Sequence, residues 1–368
     1  MLKIAIIAHL KYAIAEPFAG GLEMHTHLLA KSLRERGHDV TLFASLASDP
    51  ALGMEAICEE TSLLETGLAE AGNVAFFREH HAYLRLMTDL QTRSFDIIHN
   101  NSLHYLPLTM AATLPAPTVT TLHTPPFCWL ESGVRLSRNS NHLVAVSQAT
   151  ADLWQSVTAV DSVIPNGIDL DLFPFSPQAA ADRYLVWYGR IVPEKGLHLA
   201  IDAARAVGLP LRIAGPRSNP AYYSERILPR LGNDVTYVGH LAHRDLAKLI
   251  GGASVALCTP CWEEPYGLVV AEALACGTPV AAFRRGGIPA IVDETCGALA
   301  EPDDVTSLAA AIRAALTIDR AACRRRAEAH CNAHRMVDCY EQLYRRLTSR
   351  TADLAQQPDR EAALALSA

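Results

Sequence analysis

Short apolar, β-branched runs alternate with amphipathic stretches along nearly the whole chain, and the alternation starts twice. In the first half, "KIAIIAHL", "VTLFAS", "DIIHNN", "TVTTLHT", "LVAVSQ" and "SVIPNG" have the length and composition of buried strands. Between the first two, "GGLEMHTHLLAKSLRERG" places Leu22, Thr26, Leu29 and Leu33 on one helical face, and Gly37 supplies its stop. The pattern restarts with "RYLVWYGR", "LRIAGP", "VTYVGHL", "SVALCTP", "PVAAF" and "GALAEP". Strands separated by helices pair parallel, so the expected fold class is α/β, with two Rossmann-like doubly wound domains facing a cleft. A length of 368 residues also exceeds what one hydrophobic core usually serves.

"NGIDLDLFPFSPQAAAD" is rich in turn formers and lacks a helical period, which makes it the expected hinge. This gives a first domain over 1–168, a hinge over 169–182 and a second domain over 183–332. A long helical stretch from about Arg320 to Arg350 closes the second half. Its end, from about 333 to 350, is a candidate to pack back on the first domain, and 351–368 reads as a loosely held tail.

Half the residues are hydrophobic and 19% are charged, the balance of a soluble globular protein. A net charge of −7 disfavours nucleic acid or an anionic membrane as the main partner, and peripheral membrane contact finds no support in the sequence. No run approaches the ~20 apolar residues of a membrane span. The apolar run after Met1 is too short for a signal peptide, so a cytoplasmic location is expected. Nine scattered cysteines fit reduced thiols in that compartment. Cys258 and Cys261 form a C-x-x-C with no second pair at zinc spacing, and read as strand-end residues.

Doubly wound sheets bind ligands at the C-terminal ends of their strands, so the residues there matter most. After "SVALCTP" comes "CWEEPYGLVVAEALACGTPV". A helix beginning near Pro265 or Tyr266 leaves the amides of Tyr266, Gly267, Leu268 and Val269 as donors for an anion. Glu272 follows inside an apolar helix, where an unpaired carboxylate is costly. A vicinal diol such as a ribose offers two hydroxyls that match its oxygens; a buried salt bridge or a backbone hydrogen bond is the alternative. In "YGRIVPEKG", Gly189 closes a strand and Arg190 and Lys195 follow, two cations suited to a diphosphate. The competing reading pairs Arg190 with Glu194 and leaves Lys195 in solvent. Gly20 and Gly21 precede the first helix and would let a phosphate or sugar approach the backbone. His123 in "TLHTPPF" and His99 in "DIIHNN" end strands, where a histidine serves either the cleft or the core.

Taken together, these segments resemble the retaining GT-B glycosyltransferases of family 4. The E-x7-E element from Glu264 to Glu272 carries most of the resemblance, and "YGRIVPEKG", "GGLEMHTHLLAKSLRERGHDVTLF", "SVIPNGIDLDLF" and "GGIPAIV" occur in the family's order. The match covers about residues 1–345, with a diffuse similarity to the branch of the avilamycin pathway transferase. The resemblance implies that Glu272 holds ribose hydroxyls and that Glu264, with amides of the Tyr266–Val269 turn, contacts the donor sugar. It implies that Arg190 and Lys195 grip the diphosphate, with Gly20 and Gly21 on the phosphate from the opposite domain. His123 would face the transferred sugar, and His240 and Leu241 would lie near the base. The implied reaction moves a sugar from a nucleotide diphosphate sugar, by default a UDP-sugar, to a hydroxyl acceptor: a saccharide, lipid or small metabolite. It retains anomeric configuration and needs no metal or other cofactor; "DLD" at Asp169–Asp171 reads as linker.

Two features depart from the family. Ala290 stands where many relatives carry Glu after "GGIP", and "HNN" replaces "HAH" at Asn100 and Asn101. The stretch "TPPFCWLESGVRLSRNS" reads as a polar loop whose Phe127, Trp129 and Leu130 are either an acceptor platform or core. The alternatives are a GT-B enzyme of another reaction, such as 2-epimerisation, and a non-catalytic nucleotide-sugar binding subunit. A nicotinamide oxidoreductase is disfavoured, because the first βα turn lacks its glycine fingerprint.

Overall fold

The computed structural model describes residues 1–58, 73–137 and 140–355. Seven strands form the first sheet: β1 (Lys3–Ile7), β2 (Asp39–Ser45), β3 (Met54–Cys58), β4 (Ile97–Asn100), β5 (Thr118–Leu122), β6 (Asn141–Ala145) and β7 (Ser162–Val163). Their order is β3-β2-β1-β4-β5-β6-β7, and every pair is parallel. Six strands form the second: β8 (Leu185–Tyr188), β9 (Leu211–Ala214), β10 (Val235–Gly239), β11 (Val255–Cys258), β12 (Val280–Phe283) and β13 (Gly297–Ala300). They run β10-β9-β8-β11-β12-β13, again all parallel. In each sheet the winding reverses beside the first strand, between β1 and β4 and between β8 and β11. Crevices open at such points.

The helices that matter below are α1 (Gly21–Glu35), α2 (Val74–Leu90), α3 (Cys128–Leu136), α4 (Gln148–Trp154), α5 (Leu197–Val207) and α6 (His243–Gly252). They continue with α7 (Leu268–Ala275), α8 (Val305–Ala315), α9 (Arg320–His330) and α10 (Ala333–Ala355). Helices cover both sheets, and the strands are buried almost throughout, which is why they read as continuous apolar runs.

Four local expectations need correction. The edge strand β3 was not among the six expected; "MEAIC" holds one β-branched residue and pairs on one side only. The polar loop after "TLHTPP" is the helix α3, whose Leu130, Gly133 and Val134 turn inward. The helical stretch from Arg320 to Arg350 is two helices. Ile168 bridges Asn332 in parallel, its amide donating to the Cys331 carbonyl and its own carbonyl accepting from Ala333, so the chain bends there. The helix after Glu264 starts at Leu268, because Gly267 takes φ 103°, a left-handed conformation outside the helix. Residues 351–355 continue α10, and the rest of the expected tail, 356–368, lies outside the described residues.

Apolar side chains of α10 (Ala333, Met336, Val337, Tyr340, Leu343 and Tyr344) share one cluster with Ile4, Leu29, Leu42 and Val144 of the first sheet and its helices. A second cluster carries Met24 and Val146 into the core around α7, so the two sheets are joined by packed side chains as well as by chain.

Candidate functional site

Between the two sheets lies a cavity of about 410 Å³. Its floor on one side is the end of β1 and the start of α1; on the other it is the ends of β8 and β9 and the start of α7. Gly20, Gly21, His123, Gly189, Arg190, Lys195, His240, Leu241, Glu264, Tyr266, Gly267, Leu268, Val269 and Glu272 all line it. Positions separated by more than 250 residues in sequence thus converge because both sheets present the same strand ends to one cleft.

The backbone makes this approach possible. Gly189 and Gly215 end adjacent strands at φ 142° and 135°, and a Cβ on Gly215 would sit 1.9 Å from the Gly189 carbonyl oxygen. Across the cleft, a Cβ on Gly21 would lie 2.6 Å from Leu268 Cδ1. Only hydrogen fits at Gly215, whereas a Cβ at Gly21 would make the Leu268 side chain turn away.

Two halves of the second domain build the charged wall. Lys195 Nζ reaches Glu264 Oε2 at 2.6 Å, and the indole N–H of Trp262 donates to the same oxygen at 2.9 Å. The ammonium also stands 5.2 Å from the centre of the Trp262 ring. Lys195 is therefore not left in solvent: it is held by Glu264. Glu264 is fixed in turn by its backbone, since its carbonyl accepts from Gly287 N–H at 2.7 Å while Gly286 N–H binds the Glu263 carboxylate at 2.7 Å. Arg190 makes no hydrogen bond or ion pair among the described residues, and the reading that joined it to Glu194 is set aside. Its guanidinium approaches Gly20, whose Cβ would lie 3.7 Å from Arg190 Nε, and it favours the charged form of buried Glu23. Burial outweighs that help and raises the Glu23 carboxyl above its ordinary range. A half-buried cation without a counter-ion is an anion receptor.

Glu272 is 6% exposed on α7, among Val270, Ala271, Ala273 and Leu274. No salt bridge holds it among the described residues. Burial pushes its carboxyl up to about 8, with the Tyr188 hydroxyl beside it offsetting part of the rise. Tyr188 also donates to the Val269 carbonyl at 2.5 Å, tying β8 to the first turn of α7. The amides of Leu268 and Val269 have no backbone partner, whereas Val270 and Ala271 already donate to the Gly267 carbonyl. The amides of Tyr266 and Gly267 likewise have no backbone partner, so four successive donors stand at the wall of the cleft.

The first domain supplies neutral groups. His123 Nε2 donates to Asn101 Oδ1 at 2.9 Å and its ring meets His25 edge-on at 4.8 Å; burial holds it well below the usual imidazole range. His9, with Nδ1 accepting from the Lys11 amide at 3.0 Å, is lowered to about 4 by burial and the charges of Lys11 and Arg190. His99 does not reach the cavity. It bonds the Tyr344 hydroxyl at 2.5 Å and the Thr121 hydroxyl at 2.8 Å inside the core under α10. Ala290 is exposed and does not line the cleft. Asp169 Oδ1 accepts from the Asp171 amide, a turn in the linker, and no group of three or more metal-ligating side chains occurs among the described residues.

Sequence reading missed several participants. Trp262 stands two residues before Glu264 and was visible; its indole N–H had no evident purpose until Glu264 was placed. Ser147 and Thr150, at the start of α4, donate to the Pro265 carbonyl at 2.5 and 3.1 Å and pin the first domain to the mouth of α7. Their distance from Pro265 in sequence, 118 and 115 residues, hid them.

Comparison with known proteins turns this geometry into a class. Residues 171–330 match the family "Glycosyl transferases group 1", and residues 19–172 match "Glycosyltransferase Family 4". The glycogen synthase of Mycobacterium tuberculosis is 30% identical over 356 residues, spanning 84% of this chain and 85% of that one. The chain belongs to the group 1 glycosyl transferases. A second member, the MMP alpha-(1->4)-mannosyltransferase of Mycolicibacterium hassiacum, is 27% identical over 366 residues, 83% of this chain and 88% of its own. Among solved structures, an Anabaena protein in complex with UDP and glucose superposes with a TM-score of 0.73 at 19% identity, covering 94% of this chain and all of that one. A glycosyltransferase involved in avilamycin A biosynthesis gives 0.70 at 22%, over 95% and 98%. The group 1 enzyme described here therefore has the GT-B fold, and it is a glycosyltransferase. No helix among its described residues is long and apolar enough to cross a membrane.

Proposed function

We propose that the cleft binds a UDP-sugar and transfers its sugar, with retention of anomeric configuration and without a metal, to a hydroxyl acceptor held by the first domain. The observation that carries the reading is Glu272: a buried carboxyl with one tyrosine beside it and no cation, beside free helix amides and facing Arg190 and Lys195. A diol satisfies the carboxyl, and the diphosphate between them satisfies the cations and amides. In this reading Arg190, Lys195 and the Gly20–Gly21 turn hold the diphosphate, and Glu264 and His123 contact the sugar. His240 and Leu241 flank the base. The Anabaena protein has been solved in complex with UDP and with UDP-glucose, which supports uracil as the base.

The leaving diphosphate gains charge as the glycosidic bond breaks, and the cations stabilise that charge more than they stabilise the bound donor. Histidines held below the usual imidazole range, as His123 and His9 are, stay neutral at pH 7 with one ring proton each and serve as positioned dipoles. This favours the diphosphate as acceptor of the hydroxyl proton, a front-face route that retains configuration. We place the reaction in a cytoplasmic setting, and the enzyme in the branch of the avilamycin pathway transferase, to which its sequence bears a diffuse similarity. Incubation with a panel of UDP-, GDP- and ADP-sugars, followed by NMR of the released or transferred sugar, tests the proposal. Hydrolysis or transfer of a UDP-sugar giving the α anomer from an α donor, undiminished by EDTA, is expected. Inverted product, a metal requirement, or conversion of the donor to its 2-epimer would each displace it.

A further inference from the structure

Beyond the cleft, the first domain carries a row of stacked rings. Tyr83 lies 4.4 Å from His104 at 23°, and His104 lies 4.7 Å from Tyr105 at 20°. Tyr105 lies 5.6 Å from Trp129 at 20°, and Trp129 lies 5.4 Å from Phe76 at 31°. Three near-parallel stacked steps and a tilted fourth join the rings into a ribbon. Its inner end is buried and its outer end open: Trp129 is 49% exposed and Phe76 38%. The ribbon starts at the cavity. Leu103 and Thr124, which line the cleft, immediately precede the segment holding His104 and Tyr105 and the turn into α3. Cleft-lining His9 is close enough to His104 to help lower its pKa, after burial and His80.

A second observation points to a ligand of particular chemistry. His104 is 7% exposed, and its Nδ1 accepts from the Leu106 amide at 3.2 Å. Its ring proton therefore sits on Nε2, which has no partner, and the Thr124 hydroxyl is also unpaired. Buried donors without acceptors cost free energy unless a ligand completes them. The helices around the ribbon carry both signs, Arg78 and Glu79 on α2 and Glu131 and Arg135 on α3, so no single-sign field selects an anionic acceptor or an anionic bilayer.

We propose that Trp129 and Phe76, the exposed end of the ribbon, form a stacking subsite for an uncharged oligosaccharide acceptor, holding the sugar residues beyond the one that is glycosylated. The proposal rests on the glycosyltransferase reading of the cleft. Sugar rings present C–H faces with partial positive charge, which suit the negative face of an aromatic ring, and hydroxyl oxygens that suit His104 Nε2–H and Thr124. A small metabolite would leave the outer rings unused.

The test titrates the full chain, without donor, with maltotetraose, cellotetraose and mannotetraose, and follows tryptophan fluorescence and binding heat. At least one tetrasaccharide should bind, more tightly than its monosaccharide. Trp129→Ala and Phe76→Ala should each weaken that binding about tenfold, the loss of one stacked ring, while Trp129→Tyr retains it. Failure of every tetrasaccharide to bind, wild-type affinity in both alanine variants, or Trp129-dependent binding of phosphatidylcholine vesicles instead would overturn the subsite. UDP titrated into the same samples keeps the two readings apart: tetrasaccharide binding without UDP binding removes the donor assignment and leaves the ribbon standing.

Discussion

Replacing Glu272 by glutamine should stabilise the protein and damage it at once. The folded carboxyl sits at about 8 against an ordinary value of 4.5, because burial penalises the anion. The sign follows directly. A folded pKa raised above the unfolded one contributes no penalty below pH 4.5, a growing penalty between 4.5 and 8, and a constant one above. Over that window the difference amounts to roughly 5 kcal/mol, at ~1.4 kcal/mol per pKa unit. Glutamine keeps the shape and carries no charge, so Glu272→Gln should raise Tm by several degrees at pH 8.5 and leave it unchanged at pH 4.5. Binding moves the other way. A ribose diol donating to an anion makes two charge-assisted bonds of ~1.5–3 kcal/mol each, and exchanging one for an unmatched amide N–H should weaken UDP on the order of 100-fold. Wild-type protein should also release a proton on binding UDP at pH 7, visible as buffer-dependent heat, and Glu272→Gln should not. Differential scanning calorimetry and isothermal titration across pH settle both halves. A variant with unaltered UDP affinity, or with Tm lowered equally at both pH values, would refute the argument.

Other consequences are open to measurement. Arg190→Ala with Lys195→Ala should depress turnover of the donor by on the order of 1,000-fold while UDP binds no more than about tenfold worse, since both cations act on charge that develops as the leaving group departs; equal losses in kcat and affinity would contradict this. Glu264→Gln releases Lys195 and should lower kcat far more than it changes UDP affinity, and an unchanged sugar-transfer rate would remove Glu264 from the sugar subsite. Because burial keeps His123 and His9 neutral, activity between pH 5.5 and 8 should show no limb that disappears in His123→Asn, whatever the loss in its absolute rate. Ser147→Ala with Thr150→Ala deletes both side-chain bonds to the Pro265 carbonyl and should raise the radius of gyration of the unliganded chain by small-angle scattering, with UDP restoring compactness; identical profiles would show that other contacts hold the cleft.

The strands were legible because they are buried on both faces: "LVWY", "VALC" and "VAAF" offer no polar position to confuse the period. Glu272, Arg190 and Gly267 were legible for the opposite reason, as residues whose chemistry conflicts with their neighbours. What the chain concealed depends on contacts distant in sequence. Lys195 and Glu264 are 69 residues apart, and nothing local says that the lysine will leave solvent for that carboxylate. Helix α3 was hidden by "TPP" and a polar composition, although Leu130 and Val134 repeat at helical spacing. His99 and His123 end neighbouring strands β4 and β5 alike; only the packing of Tyr344 over one of them decides which becomes core.

The manner in which α10 completes the first sheet has a consequence for biosynthesis. Residues that cover Ile4, Leu42 and Val144 lie more than 180 positions downstream, beyond the entire second sheet. The half of the enzyme that leaves the ribosome first cannot close its own apolar face until the last segment is made. One face of the second sheet has a core drawn from residues 185–315 and can be covered before α10 emerges, while its other face shares a core with Met24 and Val146 of the first domain. Synthesis from the N-terminus therefore completes that face of the second sheet before the first sheet is covered, and in the interval between them the apolar face of the first domain stands open to its surroundings.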